Sequence, residues 1–462
     1  MRENICAVIL AAGDGKRMHS RRPKALCQVL MEPMIGWVTR FCRRAGVEEI
    51  CIVTGEGGQL IQEAVGPGVH YACQRERRGT GHALRMAEQF LRGSSAGTVL
   101  VLNGDAPFVS DRVIAHLAQT HRQEENAVTV LSAHLEQPRG YGRILREADG
   151  ALAAIVEEAD ADEAVRLIQE VNSGAYCIEK SFLLEAFSRF DCRNAQGEYY
   201  LTQVVEIARS MGLRAGACLE EDPLAAMGAN DRRQLAQLNE LARRRVLERL
   251  YEAGVDIPCT DGVLVSPTAQ VGRDACILPG SVIKGDCVIG EGAVIGPNTW
   301  LENSRVGADS TVNSCQVYEA EIGAGCTIGP FTYLRPGTRI GNQVKIGDFV
   351  EVKNSTVGDH TSVAHLTYVG DADVGRGCNF GCGVVLVNYD GEKKYRSTIG
   401  DDAFIGCNAN LISPVTVGDG AYVAAGTTLT QDVPEGALAI GRARQQNKPG
   451  WMEKTGKFKG RR

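Results

Sequence analysis

Along the second half of the chain an aliphatic residue returns every six positions: Val271, Ile277, Ile283, Ile289, Ile295 and Leu301. The same step runs through Ile322, Ile328, Leu334, Ile340, Ile346 and Val352, and again through Ile399, Ile405, Leu411, Val417, Val423 and Leu429. Glycine often follows, as in Val271-Gly272 and Ile340-Gly341. A six-residue step is one short flat strand and a corner. The aliphatic side chain points into a narrow prism, and the glycine permits the tight turn. Three steps close a triangular coil, and coils stack by parallel strand pairing, so the pattern predicts a parallel β-helix from about Val271 to Leu429. The step shortens to five between Val352 and Val357 and between Val369 and Val374, and a polar stretch at 388–396 interrupts it. A solenoid accommodates such insertions as loops on one face, often the binding face.

The first half is patterned differently. Apolar runs at 5–10, 50–53, 99–102 and 127–131 alternate with helical stretches, which predicts an α/β domain with a largely parallel sheet. Leu235, Leu238, Leu241, Val246, Leu247 and Leu250 then recur at helical spacing, predicting a long connecting helix that ends near Gly254. The expected organisation is a nucleotide-binding domain over 1–230, a linker helix over 231–254, a β-helix over 255–440 and a tail over 441–462.

Composition narrows the class. A chain of 462 residues suits two or three domains. A net charge of −6 argues against a general nucleic-acid binder, and only the tail from Lys454 is locally basic, as a solvated terminus often is. No apolar run approaches the roughly eighteen residues of a membrane span. The N-terminus lacks a cationic segment and a cleavage site, so neither membrane insertion nor secretion is expected. The sixteen cysteines include no CxxC pair and sit among apolar neighbours, which predicts free thiols packed as small hydrophobes in a reducing cytoplasm. The eight histidines are not clustered with cysteines as a zinc site requires.

The candidate chemistry begins where the first apolar run meets Ala11-Ala12-Gly13-Asp14-Gly15-Lys16-Arg17-Met18, followed by Pro23-Lys24. A glycine-rich turn after a strand exposes backbone N–H groups to phosphate oxygens, and Arg17 and Lys24 supply the cations that phosphoryl transfer needs. Asp105 ends a later apolar run, where parallel α/β folds place ligands, and its carboxylate is a hard oxygen donor suited to Mg²⁺. The motif LAAGxGxRM…PK resembles that of sugar-1-phosphate nucleotidylyltransferases. Gln74, Gly79-Thr80-Gly81-His82-Ala83, Asn103-Gly104-Asp105, Gly140-Tyr141-Gly142-Arg143, Glu157, Asn172-Ser173-Gly174, Gln196-Gly197-Glu198-Tyr199-Tyr200 and Gly228-Ala229-Asn230 extend the likeness in order. Joined to the β-helix, the whole set resembles the bacterial GlmU family, whose members N-acetylate glucosamine 1-phosphate and then transfer a uridylyl group to the product.

The resemblance implies a left-handed β-helix and a set of roles. Leu10, Ala11, Gly13, Lys24, Gln74, Gly79 and Thr80 would cradle the uridine nucleotide. Gly142, Glu157, Asn172 and Asn230 would hold the N-acetylglucosamine side, and Asp105 with Asn230 would bind Mg²⁺. UTP and acetyl-CoA would be the co-substrates, and the solenoid would assemble as a homotrimer. Lys16 and Asn103 depart from the family's frequent Thr and Tyr.

In the β-helix, His365 falls on a repeat coil, with Arg335, Lys353 and Lys394 on other coils or in the inserted loop. A histidine is suited to taking a proton from an amine near neutral pH, as amine acetylation requires. The segments around Arg335, Glu351, His365 and Asn388 resemble the family's acetyltransferase site. By that resemblance His365 is the general base, Arg335, Lys353, Tyr368, Asn379 and Lys394 bind glucosamine 1-phosphate, and Glu351 contacts the sugar amine. Cys382, Asn388, Tyr389, Cys407, Ala425 and Arg442 would line the acetyl-CoA groove. Cys382 and Cys407 replace a frequent Ala and Ser, and a thiol is the weaker donor, so Cys407 is expected to slow acetyl transfer and to expose it to alkylation. A second reading is a sugar-1-phosphate nucleotidylyltransferase whose β-helix is only structural or regulatory. The Arg-Pro-Gly, His-Leu-Thr-Tyr and Asn-Tyr-Asp-Gly segments argue against it, and LAAGxGxRM with Asp105 and Asn230 argues against a non-catalytic scaffold.

Overall fold

A computed structural model describes residues 4–13 and 15–456, with the side chain of Lys16 left out. Asp14 and the last six residues of the basic tail lie outside the described residues. The chain divides into two compact units, Met1–Arg244 and Arg245–Arg462.

The first unit is built on β1 (Ile5–Ala11), β2 (Glu49–Thr54), β3 (His70–Cys73), β4 (Thr98–Asn103), β5 (Val128–His134), β6 (Glu170–Glu179) and β7 (Ala215–Glu220). Their order across the sheet is β7-β5-β6-β4-β1-β2-β3, and only β6 runs against its neighbours β4 and β5. Both faces are covered: Cys6 and Val8 of β1 enter one core cluster, while Ala7 and Ile9 enter the other. A strand buried on both sides reads as an unbroken apolar run, which is why these strands were visible as runs and not as alternations. β1 lies between β2 and β4, so the crevice at its C-terminal end is the point where the strand order reverses. The helix Arg232–Glu252 follows, and Gly254 turns the chain with φ +82°.

The second unit is a parallel β-helix. Its strands form three sheets of 10, 9 and 10 members, and each strand pairs with the one three further along the chain until the last coil, where Tyr422–Val423 pairs with Leu438–Ala439 two strands on. Leu334 thus stands in register between Val317 and Val352, all fully buried. Glycine at the corners answers a close approach: a Cβ on Gly290 would come within 2.5 Å of the Ala308 backbone nitrogen in the next coil. The five-residue steps after Val352 and Val369 and the insertion at 388–396 all fall at one corner, between the sheet holding Glu351–Lys353 and the sheet holding Thr356–Val357. Irregularity is therefore concentrated on one edge of the prism.

Candidate functional site

The loop after β1 opens a cavity of about 360 Å³ at the sheet's crevice. Leu10, Ala11, Gly13, Lys24, Gln74, Gly79 and Thr80 all line it, and so do Glu198, from segment 196–200 of the family likeness, and Arg77, which no sequence pattern singled out. Gly79 has φ +102°, and a Cβ there would lie 2.5 Å from the Tyr199 carbonyl oxygen, so the turn into the helix Thr80–Arg85 accepts only glycine. The Thr80 hydroxyl accepts from the Leu201 N–H at 3.0 Å, tying this turn to the segment that carries Glu198.

A second cavity of about 210 Å³ adjoins the first, with Thr80, Asn103 and Asp105 belonging to both. Gly142, Glu157, Asn172 and Asn230 line it. Burial pushes the Glu157 carboxyl up, and the Thr202 hydroxyl opposes this by donating to it at 3.1 Å. Asn172 is fixed on both ends, its Nδ2 donating to the Tyr176 hydroxyl at 2.7 Å and its Oδ1 accepting from Gly174 N at 2.8 Å. Buried Arg143 pairs with Glu158 at 2.8 Å and donates to the Tyr141 carbonyl, bracing the Gly140–Gly142 turn from behind.

Between the two cavities the Lys24 ammonium pairs with the Asp105 carboxylate and donates to Asn230 Oδ1 at 2.7 Å. One carboxylate and one amide oxygen thus converge on a single cation position. Arg17 is the exception among the expected N-terminal residues: it is exposed on the short turn Lys16–Met18 and lines neither cavity.

In the β-helix unit, adjacent coils bring distant residues together. Arg335 pairs with Glu351 at 2.9 Å, and Lys353 with Asp371 at 3.2 Å. Asp371 also accepts from Asn354 and Asn388, and these bonds hold its carboxyl below the usual range even though burial opposes them. Asn388 reaches the Tyr368 hydroxyl at 3.4 Å. Lys353 crowds Lys394 and pushes its ammonium below the ordinary range. Such crowding of cations, with one buried carboxylate among them, is relieved by a bound anion. Asp371 is the residue of this group that sequence reasoning missed; an acid at a coil corner carries no local signal of what the neighbouring coil places beside it. The inserted loop is pinned by Arg396 on Asp373 and by the Tyr395 hydroxyl on Asp390.

His365 stands in register with Asp348 of the preceding coil, and its Nδ1 lies 2.9 Å from Asp348 Oδ1. A carboxylate only accepts, so Nδ1 carries the proton and Nε2 keeps its lone pair. The bond from His365 holds the Asp348 carboxyl below its usual range. Sequence reasoning missed Asp348 as well. Replacing it with asparagine is expected to lower the turnover of any reaction in which His365 acts as a base by about 10- to 100-fold, the usual worth of a hydrogen bond to a charged group. Steady-state kinetics with unchanged KM would show it; an unaltered kcat would dismiss the pairing.

The corner that carries His365 continues along the prism. Gly383 N donates to the His365 carbonyl at 3.3 Å, Asn408 N to that of Cys382 at 2.8 Å and Gly426 N to that of Cys407 at 2.8 Å. His365, Cys382, Cys407 and Ala425 therefore form one column, and the Arg442 stem lies beside its end, 4.0 Å from where a Cβ on the next residue, Gly426, would be. Asn379 does not join the Arg335–Lys394 group; it pairs with Ser362 and Phe404 on another wall.

A glycine loop at the switch point of an α/β sheet, joined to a hexapeptide β-helix with its own polar site, defines a nucleotidyltransferase fused to a hexapeptide-repeat acyltransferase. Family models agree: residues 7–256 match the MobA-like NTP transferase domain, and 268–303, 319–354 and 396–431 match the bacterial transferase hexapeptide of six repeats. The chain is 44% identical to the bifunctional protein GlmU of Clostridium acetobutylicum over 98% of its length and 99% of that protein's. It is 45% identical to that of Acetivibrio thermocellus over 98% of each chain, and 43% identical to that of Alkaliphilus metalliredigens over 97% and 98%. A solved putative glucose-1-phosphate thymidylyltransferase from Bacillus anthracis overlaps 52% of this chain and 95% of its own at a TM-score of 0.44 and 20% identity, too distant to bear on the site. The chain belongs to the family of bifunctional GlmU proteins, and it is a bifunctional transferase.

Proposed function

We propose that the chain makes UDP-N-acetylglucosamine in two steps. Acetyl-CoA acetylates glucosamine 1-phosphate in the β-helix domain, 255–440. The α/β domain, 1–230, then couples the product to UTP and releases pyrophosphate. The helical segment 231–254 links them, and 441–462 forms a tail that brings Arg442 to the column. The observation that carries this reading is the pair of adjoining cavities sharing Thr80, Asn103 and Asp105, which suits a nucleotide in one and a sugar phosphate in the other.

In the first domain a sugar-phosphate oxygen attacks the α-phosphorus of UTP in line; the new P–O bond forms as the bond to pyrophosphate breaks. Leu10, Ala11, Gly13, Gln74, Gly79 and Thr80 hold the nucleotide, and Gly142, Glu157 and Asn172 orient the sugar. Lys24 offsets the charge that grows on the phosphates, and exposed Arg17, on the turn after β1, would have to swing in to do the same. Asp105 and Asn230 each present an oxygen donor where the cavities meet, both bound here to the Lys24 ammonium; such hard donors fit Mg²⁺, and would hold it once Lys24 turns to the phosphates. When bound it would neutralise phosphate charge.

In the second domain His365 Nε2 takes a proton from the sugar amine as its nitrogen attacks the thioester carbonyl, and the CoA thiolate leaves. Arg335, Lys353, Tyr368 and Lys394 receive the sugar phosphate, and Glu351 faces the amine. Cys382, Asn388, Tyr389, Cys407, Ala425 and Arg442 line the thioester groove. Phe331, Phe349 and Leu366, exposed by 60%, 58% and 58%, make an apolar ridge at the His365 corner, which supports a homotrimer through the β-helix. In such an assembly Asn379 would complete a neighbouring copy's site. All sixteen cysteines are free, as suits a cytoplasmic protein, and no described helix is long and apolar enough to cross a membrane.

Purified protein given glucosamine 1-phosphate, acetyl-CoA, UTP and Mg²⁺ is expected to yield UDP-N-acetylglucosamine, and omission of acetyl-CoA should stop it unless N-acetylglucosamine 1-phosphate is supplied. Uridylyl transfer with no acetyl-CoA consumption would leave the β-helix a structural role only.

A further inference from the structure

Gln74 is 4% exposed and lines the larger cavity, yet its amide has little freedom. Nε2 lies 3.1 Å from the Gly79 carbonyl oxygen and 3.0 Å from His82 Nδ1. The carbonyl oxygen only accepts, so the amide atom facing it is the nitrogen. That nitrogen's second hydrogen meets His82 Nδ1, which must then offer a lone pair and leave its own proton on Nε2. Both amide hydrogens are used, and the remaining polar atom of Gln74 is an acceptor, Oε1.

His82 is well placed to keep this arrangement. It sits on the helix Thr80–Arg85, directly after the Gly79 turn that supplies the other acceptor. Its ring lies 6.3 Å from that of Tyr199. Burial and the flanking Arg78 and Arg85 lower its tendency to protonate, against the opposing pull of Glu76, so Nδ1 remains an acceptor.

We propose that His82 is a positioning residue that locks the Gln74 amide with its oxygen available to the base, and so makes the site select a pyrimidine whose ring nitrogen donates. The inference rests on the reading of the larger cavity as the nucleotide site. Uracil carries N3–H between two carbonyl groups and can donate to Oε1. Cytosine presents a bare N3 acceptor at the same edge, and two acceptors facing each other in a closed site repel. Without an acceptor at His82, only the Gly79 carbonyl holds the amide, so turning it over to offer NH₂ to cytosine gives up one hydrogen bond instead of two.

The test is steady-state uridylyl and cytidylyl transfer by the full chain, with N-acetylglucosamine 1-phosphate, Mg²⁺ and either UTP or CTP. His82→Phe keeps the ring's bulk but has no acceptor; His82→Leu serves in its place should that variant not fold. The acceptorless variant is expected to raise KM for UTP with kcat changed less than about threefold, and to lower the UTP-to-CTP ratio of kcat/KM by about tenfold or more. His82→Asn, whose side-chain oxygen can stand where Nδ1 stood, should return the ratio to within about threefold of the parent. An unchanged ratio in the acceptorless variant, or an equal loss with both nucleotides, overturns the assignment, as does a His82→Asn chain that behaves like His82→Phe. A parent enzyme that uses neither UTP nor CTP would instead overturn the nucleotide reading, and this inference with it.

Discussion

His365→Ala is expected to slow acetylation of glucosamine 1-phosphate by about 10²–10⁴-fold, the contribution typical of a positioned general base, and to leave uridylyl transfer untouched. The reasoning runs from tautomer to chemistry. Asp348 can only accept, so it fixes the proton on Nδ1 and leaves Nε2 as the basic atom. An attacking amine must lose a proton as the tetrahedral intermediate forms, and no other histidine shares this corner of the prism: His360, on the same coil, lies at the preceding corner, in the turn before the strand Ser362–His365. The side chain is largely exposed and its removal opens no core cavity, so the coil should stay folded. Chromatographic measurement of acetylated product, with uridylyl transfer from supplied N-acetylglucosamine 1-phosphate as the internal control, reads both halves at once. Acetyl transfer within about threefold of the parent would remove His365 from the mechanism.

The second large effect lies in the other unit. Asp105→Ala is expected to lower uridylyl transfer by about 10²–10⁴-fold, because a metal's stabilisation of phosphoryl-transfer charge amounts to several kcal/mol. It also strips Lys24 of its carboxylate partner at the junction of the two cavities, leaving only Asn230. Acetyl transfer should survive. Magnesium titration separates the two contributions: loss of a metal ligand shifts the Mg²⁺ concentration needed for half-maximal rate, whereas loss of the Lys24 contact alone does not. A variant with parental rate and parental Mg²⁺ dependence would sink the metal assignment.

Much of this was legible in the chain, for identifiable reasons. A prism with one residue in each wall of each coil writes its period into the sequence, so Ile283, Leu301 and Leu334 announced themselves. Doubly covered strands did the same as apolar runs. The N-terminal loop residues were legible because they are consecutive and follow a strand end. The less visible partners are those whose function depends on a neighbour far along the chain. Asp348 matters because His365 stands one coil later, and Asp371 because Lys353 and Asn388 stand on either side of it. Arg77 lines the nucleotide-loop cavity from a stretch that carries no motif of its own.

What the sequence alone determined is the architecture, an α/β nucleotidyltransferase unit, a helical connection and a hexapeptide β-helix, because period and strand burial are properties of neighbouring residues. Its motifs also pointed to most of the residues that line the cavities, though not to Arg77, Tyr176 or Thr202. Only the tertiary structure decided the protonation pattern and the partnerships: that Asp348 holds His365 by Nδ1, that His82 and the Gly79 carbonyl use both hydrogens of Gln74, that Arg17 lines neither cavity, and that Asn379 lies on a different wall from Lys353. The physical reason is that hydrogen bonds and ion pairs act over about 3 Å in space, and the distance between two residues along a chain says nothing of that separation until the coils are stacked.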